Sequence, residues 1–258
     1  MSQFGEEVHA EGRRPSPIWQ IPGFLTQYCV PDLMHVSCLG IVQYLSGNVM
    51  WELFTSMGGN TRNHAKVCGR LHNVASASAK TLKMELPFSD IAIQTIAPCY
   101  PQKSRNKVKP KFKLKAAKSQ DCLQILNHML ANMFAHTTPH EELRLQCVST
   151  LAQVYQEMDK WADDGTSAVN IADFGRRHLI LYSELNQCAR QLTKWHLYPK
   201  HHAFTHVVDK CLVNPKLEWN YSDESEMGLA AAVAAVVNQR AVETKLLARH
   251  RLTFVAKI

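Results

Sequence analysis

Residues 167–195, SAVNIADFGRRHLILYSELNQCARQLTKW, decide the fold class: Ile171, Phe174, His178, Leu181, Leu185, Cys188 and Leu192 recur three or four positions apart. That spacing stacks them on one face of an α-helix, because side chains three and four apart point the same way. The same period in Leu123, Leu126, Met129, Leu130 and Met133 predicts a helix over residues 116–135. Pro139, with Glu141 and Glu142 behind it, opens another that runs to about residue 163, since proline and early acids suit a first turn. Asp163-Asp164-Gly165 is the turn between that helix and the next.

Further upstream, Leu33, Val36, Leu39, Gly40, Val42, Gln43, Leu45, Val49, Met50, Leu53 and Phe54 follow a helical period closely enough to predict a helix to about residue 56. Gly58-Gly59 ends it, and Asn60-Thr61 can cap a second helix over residues 63–84. Residues 18–30 are β-branched and aromatic but broken by Pro22-Gly23, so their second half reads as a short strand. Pro31 stops that strand and Asp32 suits a helix N-cap. Residues 86–112 carry Pro87, Pro98, Pro101 and Pro110 and read as irregular. A further short strand is expected around residues 217–221, and a last helix from near Ser222 towards Lys257. The expected fold is mainly α, a bundle-like helical domain with at most a few short strands. Its expected parts are a flexible leader (1–17) and one α-rich domain (18–258). Within the domain, 18–56 is a strand plus helix, 57–195 is helical with a basic loop at 102–118, and 196–258 holds a histidine- and aromatic-rich block with the final helix.

Of the 258 residues 46% are hydrophobic and 20% charged, which is the composition of a folded globular chain rather than a disordered one. Eleven glycines and eleven prolines are few for a turn-rich β-sandwich. The eight cysteines are scattered without a Cys-x-x-Cys pair, which argues against a zinc ribbon and against a compact disulfide framework. Reduced, mostly buried thiols in a nuclear or cytoplasmic protein are the simpler expectation. Residues 1–14 are too polar for a secretory signal, and no apolar run is long enough to span a bilayer, so no membrane partner is expected.

The formal charge is +7 and the pI near 9.0, which permits a polyanion partner. Lys103, Arg105, Lys107, Lys109, Lys111, Lys113, Lys115 and Lys118 form the strongest charge run, with no acid among them. It reads either as a solvated linker or as a loop that neutralises several phosphates without reading sequence. His202 and His206 stand four apart, so on a helix they share a face as two metal ligands would. No glutamate sits between them and no third ligand is fixed by spacing, so a structural or nucleic-acid-facing role is the simpler reading. Asp32 is either a helix cap or a carboxylate mounted after a strand. Glu224 sits near the start of the last expected helix, where Asp223 and Glu226 are equally placed to meet the helix dipole. No Gly-rich phosphate loop, nucleophile elbow or Cys-His pair in a catalytic setting appears.

Two blocks carry a resemblance. Pro31-Asp32-Leu33-Met34-His35, followed by Leu39-Gly40, resembles the Asp-x-Met-His segment of CACTA-type (Plavaka-like) DDE transposases. Lys200-His201-His202 with His206, then Trp219-Asn220-Tyr221 and Glu224 with Gly228, resembles that family's Lys-x-His-x-x-x-His block and the aromatic segment leading to its last catalytic glutamate. The resemblance implies a remnant of an RNase H-like core with a helical insertion. It makes Asp32 and Glu224 the second and third catalytic carboxylates, which would hold Mg²⁺. His35, Lys200, His202, His206, Trp219 and Tyr221 would support them, and Lys103 to Lys115 would contact DNA. In such chemistry two metal ions about 4 Å apart activate the attacking and leaving oxygens.

Two departures matter. Residues 1–31 contain no aspartate to act as the first carboxylate, only Glu6, Glu7 and Glu11. The family's Trp-x-Tyr-Pro-Phe-Glu pattern is altered to Trp219-Asn220-Tyr221-Ser222-Asp223-Glu224. The expectation is therefore a transposase-derived C-terminal fragment, catalytically inactive alone, nuclear, with residual DNA binding. The alternatives are a helical protein-interaction module unrelated to transposases and, third, a metal-dependent nuclease in which one of the leading glutamates replaces the missing aspartate.

Overall fold

Val42 to Ser56 form α1, and this helix is buried on nearly every side: Val42, Leu45, Val49, Met50, Trp51, Leu53 and Phe54 are all within 1% of complete burial. A helix apolar all round belongs at the centre of a helical fold, with other helices covering each face. The computed structural model describes residues 31–98, 108–189, 194–209, 211 and 213–218. Within them follow α2 (His64–Thr81), the short α3 (Ile93–Ile96), α4 (Ser119–Met133), α5 (Pro139–Asp159), α6 (Thr166–Cys188) and α7 (Pro199–Asp209). Short 3₁₀ turns occupy Ala116–Lys118 and Pro215–Glu218, and a π-helical segment, Met34–Ile41, leads into α1. The fold is mainly α, and no strand occurs among the described residues.

The expected helix boundaries meet their caps. At the end of α1, Gly58 takes φ 75° and Gly59 N donates to Phe54 O at 2.9 Å, the closure that a left-handed residue after a helix allows. Thr138 and Glu141 form a reciprocal capping box before Pro139. The tight turn after α5 is completed by Gly165 at φ 82°. With so short a turn, α5 and α6 pair as a helical hairpin with the most extensive interface in the described residues. α4 packs on α5, and α7 packs on α6 and on the π segment.

Several expectations change. The first two turns of the helix at residues 33–56 are π-helical rather than α-helical. The second helix stops at Thr81 because Lys83 takes φ 55° and Met84 N returns to Ala79 O at 2.9 Å. A lysine in a left-handed position carries no sequence signal of the kind glycine gives. The irregular region contains α3, and α6 ends at Cys188, with Ala189 extended. α7 was absent from the expected helices. Leu217 and Glu218 lie in a 3₁₀ turn and not in a strand. The strand expected over 18–30, the leader and the helix expected from Ser222 lie outside the described residues.

Cys68, Cys122 and Cys147 are free and buried, Cys38 and Cys211 are buried, and Cys188 is exposed. Burial pushes the Cys122 thiol up to about 12, so it carries almost no thiolate at neutral pH.

Candidate nucleic-acid interface

The two blocks that carry the resemblance are 165 positions apart in sequence and touch in the fold. Lys200 Nζ, on α7, donates to His35 O at 2.7 Å and to Leu39 O at 3.4 Å in the π segment. Gly40 makes room for it, since a Cβ there would meet Lys200 Cδ at 2.4 Å. The π register needs such help. Val42 N donates to Ser37 O, five residues back, and a return to the four-residue α register skips one carbonyl. Ser119 Oγ donates to the next one, Cys38 O, at 2.9 Å. Tyr155 from α5 adds a hydrogen bond to Ser37 Oγ at 2.9 Å. Three separate helices thus hold the π segment.

Asp32 caps that segment. Its Oδ1 accepts from Met34 N at 3.2 Å, its Oδ2 from His35 N at 3.1 Å, and the His35 ring closes on the same Oδ2. The arrangement fits the helix-cap reading of Asp32. It is a poor Mg²⁺ ligand set as it stands, because Mg²⁺ wants about six oxygens and this single carboxylate already accepts from three nitrogens. No three His, Cys, Asp or Glu side chains among the described residues are grouped to hold a metal ion. Glu224, Trp219 and Tyr221 lie outside the described residues.

His202 and His206 share an exposed face of α7, with their Nε2 atoms 3.3 Å apart. His201 turns inward instead and is 4% exposed. Tyr198 N donates to its Nδ1 at 3.0 Å, and its Nε2 is buried without a partner. Beside it, His178 is fully buried and donates from Nδ1 to Cys147 O at 2.9 Å.

The charge run acquires a definite shape. Lys111 N donates to Ile96 O at 3.0 Å and Lys113 N to Thr95 O at 2.9 Å, while Phe112 N, between them, donates to Gln43 O at 2.8 Å on α1. Consecutive amides that point to opposite neighbours define a stretched chain, whose side chains alternate between two faces. Val108, Pro110 and Phe112 accordingly go inward, and Lys109, Lys113 and Lys115 are exposed, with Lys111 half-buried. Gln43 Nε2 pins the end of the stretch by donating to Leu114 O at 2.7 Å. None of these four lysines pairs with a carboxylate among the described residues, whereas Lys118 meets Glu85 at 3.3 Å. Lys103, Arg105 and Lys107 lie outside the described residues.

Beside this row, Tyr44 and Tyr198 stack with ring centroids 3.9 Å apart, and Lys111 Nζ sits 5.1 Å over the Tyr44 ring. Burial, and then the nearby Lys111 charge, lower the Lys200 pKa from its ordinary value. Nothing local in the sequence marks the two tyrosines as partners of a lysine far along the chain.

The row depends on Gly47. A Cβ at that position would meet Lys111 N at 2.5 Å, Lys111 Cα at 2.6 Å and Phe112 N at 2.7 Å, all backbone atoms that cannot swing aside. Gly47→Ala is expected to cost about 1–3 kcal/mol by overpacking, although alanine is the better helix former. Gly69→Ala, where a Cβ meets nothing within 4 Å, is the control. It should stabilise by up to about 1 kcal/mol. Urea unfolding of both variants checks this, and equal midpoints would refute the close approach.

A second constellation lies behind the site. Glu52 on α1 accepts from Trp195 Nε1 at 2.7 Å and Arg144 Nη1 at 3.2 Å, with His140 Nε2 3.1 Å from both its oxygens. Burial alone would raise its carboxyl. The His140 and Trp195 hydrogen bonds and the His140 and Arg144 charges outweigh that and hold it below the ordinary value. Trp195 N also donates to Asn48 Oδ1 at 3.0 Å, which holds Trp195 at φ 52° just before α7.

No family model matches the chain, and no curated protein and no solved structure matches it. No helix among the described residues is long and apolar enough to cross a membrane.

Proposed function

We propose that this chain is a transposase-derived domain that binds nucleic acid through its phosphates, with Asp32 and Glu224 as remnants of a Mg²⁺ site that is inactive in this chain alone. The observation that carries the binding reading is the row Lys109, Lys111, Lys113 and Lys115, on a pinned segment with no carboxylate partner among the described residues. Positive charges left unpaired in a fixed line favour a polyanion, and neutralised phosphates release their counterions. The contact of Lys200 with His35 O supports the descent, since it joins the two blocks that resemble the transposase family. The nuclear compartment follows from that descent.

The test is binding of a labelled oligonucleotide between 50 and 200 mM salt. A linear fall of log K with log salt is expected, and no binding at about 50 mM salt refutes the reading. The second reading, a protein-interaction module, draws on α6, where Val169 and Ile180 are 61% and 60% exposed. Eleven residues apart, they lie about three turns along one helix face.

A further inference from the structure

We infer that the lysine row is built for a single nucleic-acid strand rather than a duplex; this rests on the phosphate-binding reading above. Side chains on one face of a stretched chain repeat about every 6.7 Å, so four lysines on such a chain reach along up to about 20 Å. The line is held before any ligand arrives: Lys111, Phe112 and Lys113 give their amides to Ile96, Gln43 and Thr95, and Phe112 is completely buried. Ordering that segment is therefore part of folding and not of binding.

A rigid straight row meets the two nucleic-acid forms differently. A duplex strand winds through about 100° over three steps, at 10–10.5 base pairs per turn, so its phosphates curve away from the row. A single strand has free backbone torsions and can straighten to follow it. Duplex readers usually bring a helix or a two-stranded ribbon into the wide groove, and this segment is neither.

The neighbouring aromatics define the mode of contact. Tyr198 at 3.9 Å fills one face of Tyr44, which leaves Lys111 over the other. With both faces of that ring occupied, the row meets phosphates and not bases, so affinity should not depend on sequence.

The experiment is fluorescence anisotropy on the full chain, with a labelled thymidine oligonucleotide, a mixed-sequence single strand and a duplex of equal length. Each is measured between 50 and 200 mM salt, for the wild type, the triple variant Lys109→Gln/Lys113→Gln/Lys115→Gln and Lys160→Gln. Lys111 is left intact because it packs on Tyr44, and the substituted lysines are exposed, so the fold should persist, as circular dichroism will show.

The single strands should bind at least tenfold tighter than the duplex and equally to each other. Each lysine contributes about 0.7 to the single-strand salt slope, so the triple variant should flatten it by about 2. Lys160→Gln should leave it unchanged. A duplex bound as tightly as the single strands, with the same dependence on the row, overturns the strand inference and leaves phosphate binding standing. Binding indifferent to the triple variant, or no binding at all, overturns both.

Discussion

Acidification from pH 7 to pH 4 is expected to remove a large part of the stability of this fold, through His178 and His201. Both are buried, and burial is the chief reason that each pKa falls from 6.5 to about 4. The contacts of the two Nδ1 atoms with the carbonyls Cys147 O and Tyr198 O oppose the fall only partly. His178 faces Cys147, Tyr182 and Phe204, and His201 faces Tyr182 and Tyr198, so no carboxylate among the described residues stands by to balance an added proton. Each imidazole also has a buried Nε2 with no partner.

The unfolded chain binds protons at these sites from about pH 6.5 downward, while the folded chain resists until about pH 4. Stability is therefore complete above the unfolded value, falls as pH drops between the two, and levels off below about 4. A fall from 6.5 to about 4 corresponds to about 3 kcal/mol for each histidine as an upper bound, against a typical total of about 5–15 kcal/mol. Urea midpoints from pH 7.5 to 4.5 measure this. His178→Asn and His201→Gln, both neutral at all these pH values, should flatten the curve, and an unchanged curve in the double variant would remove these two groups as its cause.

Glu52→Ala is expected to be the most damaging single substitution, at about 3–5 kcal/mol, because it leaves a buried cation without its partner. The Glu52 and Arg144 side chains are 15% and 5% exposed, and Arg144 Nε is already without a partner. The same substitution strips Trp195 Nε1 of its acceptor and so loosens the entry to α7, which carries Lys200. Hydrogen exchange over residues 195–209 should quicken more than over α5. The double variant Glu52→Leu/Arg144→Met should recover much of the loss, since an apolar pair leaves no charge unpaired. A cost under about 1 kcal/mol for Glu52→Ala would mean that water screens the cluster as it does surface pairs.

What the sequence alone determined here is what local physics governs. The three-and-four spacing of Ile171, Phe174, His178, Leu181 and Leu185 made α6 legible, and all but Phe174 of these are buried in the fold. Pro139 with its following glutamates, Gly58-Gly59 and Asp163-Asp164-Gly165 marked helix ends, because caps and turns are decided within a few residues. The alternation of lysines from 109 to 115 was visible as charge. Its burial partners Val108, Pro110 and Phe112 were in plain view too, yet a stretched segment and a solvated linker share that pattern until something pins the amides.

The tertiary structure decided the rest, for one physical reason: the energies involved arise between groups far apart in the chain. Gly47 reads locally as a weak helix residue, and its meaning comes from the backbone of Lys111 and Phe112 lying against it. The π register of Met34–Ile41 is held by Ser119, Tyr155 and Lys200, 81 to 165 positions away. Glu52 gathers His140, Arg144 and Trp195 from 88 to 143 positions away. No period or spacing announces such partners, since hydrogen bonds and desolvation act only at contact and the fold alone sets who is in contact.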